Sequence, residues 1–128
     1  LILLTNDGEL INAMMKGSAG HEKEYIVKVN KEITADFLQQ MRDGVFLKES
    51  KIKTRPCEIE QIGKFTYRIV LTQGVNRQIR RMSKTLGYEV KELKRIRIVN
   101  VELANLKKGE YRQILGAELQ ALYDAVYK

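Results

Sequence analysis

The sequence has little of the chemistry on which metal and nucleophile sites depend. Its 128 residues include one cysteine, one histidine, one proline and no tryptophan. A single cysteine cannot form an internal disulfide, which suits a reducing cytosol, and we expect a cytoplasmic location. One cysteine and one histidine cannot make a zinc site with the usual ligand spacing, so we expect no metal.

Longer patterns are absent as well. No apolar run approaches the roughly 20 residues that span a bilayer, so we expect no membrane segment. Neither the G-x-G-x-x-G pattern nor the P-loop pattern occurs, which removes support for a nucleotide cofactor. Cys57 follows a proline in a strand-like stretch and is interpreted as a small buried hydrophobe. His21 has no triad partner nearby, and Asp7 precedes a glycine in a pattern typical of a turn.

The length and composition predict one soluble domain with its own core, because 44% of the residues are hydrophobic and 30% are charged. Alternation of apolar and polar residues predicts strands, and apolar residues at helical spacing predict helices between them. The predicted strands are Leu1–Thr5, His21–Asn30, Ile52–Ile62, Phe65–Gln73, Glu89–Leu103 and Glu110–Ile114. The predicted helices are Glu9–Lys16, a helix between Thr34 and Gly44, a helix between Asn76 and Gly87, and Ala117–Tyr127. Together they indicate an α+β fold: a mixed, mainly antiparallel sheet with helices packed on it.

Positive charge is concentrated in one segment. The chain has a formal net charge of +7, and the stretch from Gly74 to Arg97 contains eight basic and two acidic residues. This stretch therefore holds +6 of the total, and the rest of the chain is almost neutral. Segregation of this kind is the pattern expected for a protein that binds a polyanion, and nucleic acid is the first candidate.

The centre of the basic segment is predicted to be a short amphipathic helix, with Asn76 as its N-cap and Gly87 as its stop. Its apolar stripe consists of Ile79, Met82 and Leu86. Its opposite side carries Arg77, Arg80, Arg81 and Lys84. Cations near a helix N-terminus oppose the helix dipole by up to ~1 kcal/mol each, and exceptions to local rules are typical of functional sites. We interpret this end as a phosphate-binding site, with a solvated basic face as the alternative.

Several stretches, in this order, resemble the Rsu family of ribosomal RNA pseudouridine synthases. They are LILLTNDG over Leu1–Gly8, KEY over Lys23–Tyr25, GVNRQIRRM over Gly74–Met82 and LKRIRIVNVELANLKKGEYR over Leu93–Arg112. The branch that modifies large-subunit ribosomal RNA is the most similar, and the resemblance covers essentially the whole chain. It implies the fold of a pseudouridine synthase catalytic domain and an isomerase that needs no cofactor or metal.

The resemblance also implies the roles of individual residues. Tyr25 matches the tyrosine of the family's KxY motif, which stacks on the target base, and Arg80 matches the cation that pairs with the catalytic aspartate. We expect these two side chains to lie within about 10 Å of each other across a cleft. The expected RNA contacts are Lys23, Asn76, Arg77, Gln78, Arg81 and Lys84. Val75 stands where many members of the family carry arginine.

The family's essential aspartate belongs to a GRLD-type motif upstream of the stretch that matches Leu1–Gly8, and Asp7 does not match it. We therefore expect residues 1–128 to form a single catalytic-type domain that lacks this aspartate and the family's small N-terminal RNA-binding domain. The expected partner is ribosomal RNA, the expected state is a monomer, and this chain alone is expected to be inactive. A non-catalytic RNA-binding module explains the charge equally well. A binder of anionic membranes is weaker, because the helix offers only three aliphatic side chains.

Overall fold

The computed structural model describes residue 9 and residues 21–72, 77–103, 106 and 110–126. The predicted strand Leu1–Thr5, the turn at Asp7 and the predicted helix Glu9–Lys16, apart from its first residue, lie outside the described residues. The strands are β1 (Lys23–Val29), β2 (Phe46–Leu47), β3 (Ile52–Lys53), β4 (Glu58–Gly63), β5 (Thr66–Leu71), β6 (Val90–Ile98) and β7 (Val101–Glu102). The helices are α1 (Ala35–Asp43), α2 (Gln78–Thr85) and α3 (Gly116–Val126).

Five of these strands form one sheet in the order β4-β5-β1-β6-β7, and every neighbouring pair is antiparallel. Strands β2 and β3 form a separate two-stranded hairpin. The helices supply apolar side chains that cover the sheet. This arrangement confirms the predicted α+β class with a mainly antiparallel sheet.

Among the described residues, two apolar clusters hold the elements together. The larger one joins the sheet to helices α1 and α2, and its most buried members include Val27, Tyr67, Ile69, Phe37, Met41, Ile79 and Met82. The smaller one joins β6 and β7 to helix α3 through Ile98, Val101, Leu122 and Val126. The odd-numbered residues of β1 from Val27 onward are buried, as the period-two pattern predicts. Helix α2 is thereby fixed to the same sheet face as Val27.

Helix α1 begins and ends where the sequence predicts. The Thr34 hydroxyl accepts a hydrogen bond from the backbone N–H of Phe37 at 3.1 Å, and Phe37 and Met41 are buried. The chain leaves the helix at Gly44, whose φ is +101°. A Cβ at this position would lie 2.3 Å from the Thr54 carbonyl oxygen. Both the backbone conformation and the available space therefore require glycine.

The predicted strand Ile52–Ile62 is wrong as a single element. Its first residues pair with Phe46–Leu47 as strand β3, and its last residues form β4 against β5. Pro56 lies between them, and a proline has no N–H to donate to a strand ladder. The interruption lets Thr54 turn inward, where its hydroxyl accepts a hydrogen bond from the Val45 N–H at 2.8 Å.

The predicted strand Glu89–Leu103 is also two strands. β6 ends at Ile98, the chain turns at Val99 and Asn100, and β7 pairs back on β6. Val99 adopts a φ of 54°. A β-branched residue rarely has a positive φ, so the local sequence gives little warning of this turn. The predicted strand Glu110–Ile114 is absent, because these residues are irregular up to the start of α3.

Candidate functional site

Helix α2 starts with an unusual backbone conformation. It begins at Gln78, and its N-cap is Arg77, with φ 51° and ψ 34° and no capping hydrogen bond from its side chain. The prediction that Asn76 is the N-cap is therefore wrong by one residue, and Asn76 itself lies outside the described residues. The predicted stop is confirmed, because Gly87 follows the helix with a φ of 86°.

The apolar side of α2 packs as predicted. Ile79 and Met82 are buried, and Leu86 packs partly buried against the same cluster. Ser83, which the sequence did not single out, is also fully buried on this side, and its hydroxyl lies 2.9 Å from the hydroxyl of Tyr67 on β5. This buried hydrogen bond and the apolar contacts together fix the orientation of the helix on the sheet.

The four predicted cations of α2 have different environments. Arg77 and Lys84 are exposed, whereas Arg80 and Arg81 are half-buried. Arg80 makes no side-chain hydrogen bond or ion pair to another residue in the part of the chain that the structure describes. Gln78 is only 4% exposed, and its amide nitrogen lies 3.6 Å from the Met82 sulfur. Gln78 therefore does not share the exposed surface of Arg77 and Lys84.

Arg81 contacts the protein as well as solvent. Its guanidinium donates a hydrogen bond to the Ser50 hydroxyl at 2.8 Å, which joins α2 to the turn between β2 and β3. The hairpin around this turn carries further exposed cations, namely Lys48, Lys51 and Lys53. Its Phe46 is 51% exposed. The basic side of α2 is thus continuous with a second, basic hairpin surface, which the charge pattern along the sequence does not indicate.

Tyr25 lies on the sheet face that α2 covers. It is half-buried and packs against the cluster that contains Ile79 and Met82. It shares this face with Val27, whose partner on β5 is Tyr67, the residue bonded to Ser83 of α2. Tyr25 and the helix that carries Arg80 are therefore on one side of the sheet. The separation of about 10 Å between their side chains stays a prediction.

An irregularity in β6 determines which arginines reach this face. Tyr25 pairs with Arg95, whereas Glu24 pairs with Arg97, so Ile96 is an extra residue that has no partner in the pairing. A bulge of this kind reverses the alternation of side chains beyond it. Period-two spacing predicts Arg95 and Arg97 on one face of the strand, and this prediction is wrong because the bulge puts them on opposite faces.

The face opposite Tyr25 carries a compensated charge network. Arg97 contacts Glu24 at 2.7 Å and Glu22 at 3.1 Å, and Arg68 contacts Glu24 at 3.3 Å and Glu60 at 3.1 Å. Hydrogen bonding to Arg97, with support from Arg68, lowers the pKa of the Glu24 carboxyl, although its burial acts in the other direction. Both arginines are therefore structural partners of carboxylates.

The sheet face that carries Tyr25, in contrast, contains a buried lysine. Lys23, one of the expected RNA contacts, is only 9% exposed, and its contact with RNA stays a prediction. Burial and the nearby charge of Arg95 lower the pKa of its ammonium group. It makes no ion pair or side-chain hydrogen bond to any other residue that the structure describes.

Other forms of chemistry find no support in the described ranges. No group of three or more His, Cys, Asp or Glu is arranged there to hold a metal ion, and no helix there is long and apolar enough to cross a membrane. Burial raises the pKa of the Cys57 thiol to about 11, and its sulfur donates to the Met41 carbonyl at 3.2 Å. Cys57 is thus a poor nucleophile. A cavity of about 420 Å³ beside Cys57 and Arg42 is lined by neither Tyr25 nor Arg80.

Comparison with known proteins gives consistent results. A family model described as RNA pseudouridylate synthase matches residues 1–85. The chain is 44% identical over 126 residues to the dual-specificity RNA pseudouridine synthase RluF of Escherichia coli, covering 98% of this chain and 43% of that protein. It is 36% identical over 132 residues to the ribosomal large subunit pseudouridine synthase B of Xylella fastidiosa, covering 95% of this chain and 27% of that protein.

A solved structure has the same fold. It is described as the crystal structure of pseudouridylate synthase, and it matches with a TM-score of 0.86 and 26% sequence identity. The match covers 92% of this chain and 52% of the solved chain. The present chain therefore spans about half, or less, of the length of each of these relatives.

Proposed function

The chain belongs to the RNA pseudouridylate synthase family, and we propose on this basis that it forms part of an enzyme that converts a specific uridine of ribosomal RNA to pseudouridine. The observation that carries the proposal is the placement of Tyr25 on the sheet face covered by α2, the helix that presents Arg80. Two groups of the kind the reaction needs, an aromatic ring and a half-buried cation, are thus on one side of the sheet.

The proposed reaction is an isomerisation. The N1–C1′ glycosidic bond of the uridine breaks, the detached uracil turns, and a C5–C1′ bond forms. C5 loses a proton and N1 gains one, so the product has the composition of the substrate and no oxidant or reductant is consumed. An enzyme for this step has to hold a base that is temporarily unattached, without fixing it in one orientation.

Tyr25 suits that requirement. A flipped base can stack on an aromatic ring with no fixed hydrogen-bond register, so the base stays bound while it turns. Arg80 has a different role. A guanidinium near a carboxylate favours its ionised form, which is the form able to act on the sugar. We assign Arg80 as the partner of the aspartate that the family carries upstream of the stretch matching Leu1–Gly8.

The RNA backbone is proposed to follow the exposed cations. Arg77 and Lys84 on α2, together with the lysines of the β2–β3 hairpin, offer several positive charges to phosphates along one surface. Contacts of this kind release counterions, so the affinity for RNA should fall steeply as salt concentration rises. An affinity that hardly changes with salt would contradict this assignment.

The test compares the 128-residue chain with a chain extended upstream through the expected aspartate. Both are incubated with unmodified ribosomal RNA, and pseudouridine is quantified. We expect formation only with the extended chain, and none when its aspartate is replaced by asparagine. Activity of the shorter chain would show that another carboxylate serves. Salt-dependent RNA binding without activity in either chain would favour the second candidate, a non-catalytic RNA-binding module.

A further inference from the structure

A pair of cations lies beside Tyr25 on the face that α2 covers. Arg95 is the direct cross-strand neighbour of Tyr25, brought there by the bulge at Ile96. Lys23 precedes Tyr25 by two residues on β1, so it projects from the same face. The charge of Arg95 is close enough to contribute to the lowered pKa of the Lys23 ammonium group. Lys23, Tyr25 and Arg95 are therefore neighbours on one surface.

The burial of Lys23 beside a second cation is costly to the folded protein. Removing a charge from water is unfavourable unless a partner of opposite sign is present, and a second positive charge nearby adds repulsion. Lys23 is 9% exposed, and none of the carboxylates that the structure describes forms an ion pair with it. On the opposite face, by contrast, Arg68 and Arg97 each contact at least two glutamates. A buried cation maintained in this way indicates an anionic ligand.

We propose that Lys23 and Arg95 together bind one phosphate group of the RNA, adjacent to the base that stacks on Tyr25. The proposal rests on the proposed function and extends it, because it gives the target nucleotide a second fixed point. The two side chains are complementary: arginine offers a planar fork of donors, and lysine offers a compact point charge. With base and phosphate both held, only the sugar between them needs to reach the catalytic carboxylate.

The test uses neutral variants with matched controls on the same strands. Lys23→Met and Arg95→Gln remove the two charges. As controls, Lys28→Met and Lys94→Gln each remove one positive charge from β1 and β6 at exposed positions of the opposite face. Affinity of each chain for an unmodified ribosomal RNA fragment is measured by filter binding across a salt series.

We expect Lys23→Met and Arg95→Gln each to weaken binding by at least about tenfold and to lower the salt slope by about one. The double variant should bind about as weakly as the weaker single variant, because both residues hold one phosphate. The two control variants should change affinity by less than about threefold. Equal losses in test and control variants, or full additivity in the double variant, would overturn the shared site.

A second measurement separates the phosphate site from a merely structural role. In thermal unfolding without anions, Lys23→Met should raise Tm by about 3 °C, because it removes the buried charge repulsion. Inorganic phosphate at constant ionic strength should raise Tm of the parent chain more than that of the variant. A lower Tm for Lys23→Met would overturn the proposal, since it would mean that a protein carboxylate already occupies the site.

The two measurements also separate this proposal from the proposed function. If the parent chain binds RNA and Lys23→Met binds it equally well, the phosphate site is wrong while the RNA-enzyme assignment stands. If inorganic phosphate stabilises the parent but not the variant, and RNA does not bind, the anion site stands while the proposed function fails. Absence of both effects would overturn both.

Discussion

The two faces of the five-stranded sheet treat positive charge in opposite ways. On one face Arg68 and Arg97 converge on Glu24, and further glutamates surround them. On the other face Lys23 and Arg95 lie beside Tyr25, and Lys23 has no ion-pair partner among the described residues. Positive charge thus pairs with carboxylates on one side, whereas the Lys23 ammonium on the other side has no carboxylate partner among the residues that the structure describes.

This difference shows why net charge alone is a weak guide to function. The basic segment from Gly74 to Arg97 includes Arg97, which the opposite face uses entirely for structure. A single bulged residue places Arg95 and Arg97 on opposite faces of the sheet, so their environments differ although they are two residues apart. Variants that change side chains on one face at a time can test whether the two faces differ in this way.

The largest effect is expected for Arg80 on the face of Tyr25. Arg80→Ala in the extended, active chain should lower pseudouridine formation by about 100-fold or more, because the catalytic carboxylate loses the cation that stabilises it. RNA affinity should change by less than about threefold. Single-turnover kinetics and filter binding separate the two quantities.

Lys84→Ala is the matched control for Arg80→Ala, since it removes an exposed cation from the next turn of the same helix. It should weaken RNA binding and leave the single-turnover rate at saturating enzyme almost unchanged. If Arg80→Ala instead reduced affinity and rate to the same extent as Lys84→Ala, Arg80 would be another phosphate contact and the catalytic assignment would be wrong.

The next largest effect is a loss of stability, expected on the sheet face where Arg68 and Arg97 pair with glutamates. Arg68 and Arg97 both contact the Glu24 carboxylate, and both lose a charged partner in Glu24→Gln. This variant should therefore be destabilised by about 2 kcal/mol at neutral pH. Urea unfolding measures the loss. RNA affinity should be unchanged, since this face carries none of the proposed contacts.

The pH dependence of the same variant has a definite sign. The folded state lowers the pKa of Glu24 below its ordinary value of 4.5, so the carboxylate contributes its full stability above pH 4.5. This contribution disappears as pH falls through the lowered pKa of the folded protein. The difference in unfolding free energy between parent and Glu24→Gln should therefore shrink below pH 4.5. A constant difference would contradict the ion-pair account.

A smaller loss of stability is expected from removing the hydrogen bond between Tyr67 and Ser83, which joins α2 to the sheet. Tyr67→Phe leaves the buried Ser83 hydroxyl without its partner. The expected cost is about 1 kcal/mol of unfolding free energy. Adding Ser83→Ala removes the orphaned hydroxyl, so the double variant should recover part of the loss. A double variant that is less stable by the full sum of two single losses would show that the two hydroxyls act independently.

Much of this architecture could be predicted from the sequence where the signals are local. The Thr34 cap, the Gly44 and Gly87 stops and the apolar stripe of α2 each depend on residues within one or two turns. The Ile96 bulge and the turn at Val99 could not be predicted in the same way. Both depend on pairing with distant strands, and Val99 contradicts its own local preference.

The same distinction between local and long-range signals applies to the residues of the candidate site. The family resemblance supplied Tyr25 and Arg80, and the basic helix was visible in the charge pattern. The burial of Lys23 and Gln78, the Arg81–Ser50 hydrogen bond and the approach of Arg95 to Tyr25 arise only from tertiary packing. Each of these changes the role expected from residue type alone.

The smallest effect on stability is expected at Arg77, whose backbone is left-handed. A substitution at this position should change RNA affinity with little change in the free energy of unfolding. This conformation costs a non-glycine residue about 1 kcal/mol, and glycine adopts it without that cost. Arg77→Gly should therefore unfold at a urea concentration equal to or slightly above that of the parent, while RNA affinity falls and the salt slope decreases by about one. Arg77→Ala is the control, because it loses the charge but keeps the backbone cost. If glycine and alanine lowered stability equally, the conformation at the start of α2 would be held by the side chain, and the exposed arginine would belong to the fold on this face as Arg97 does on the other.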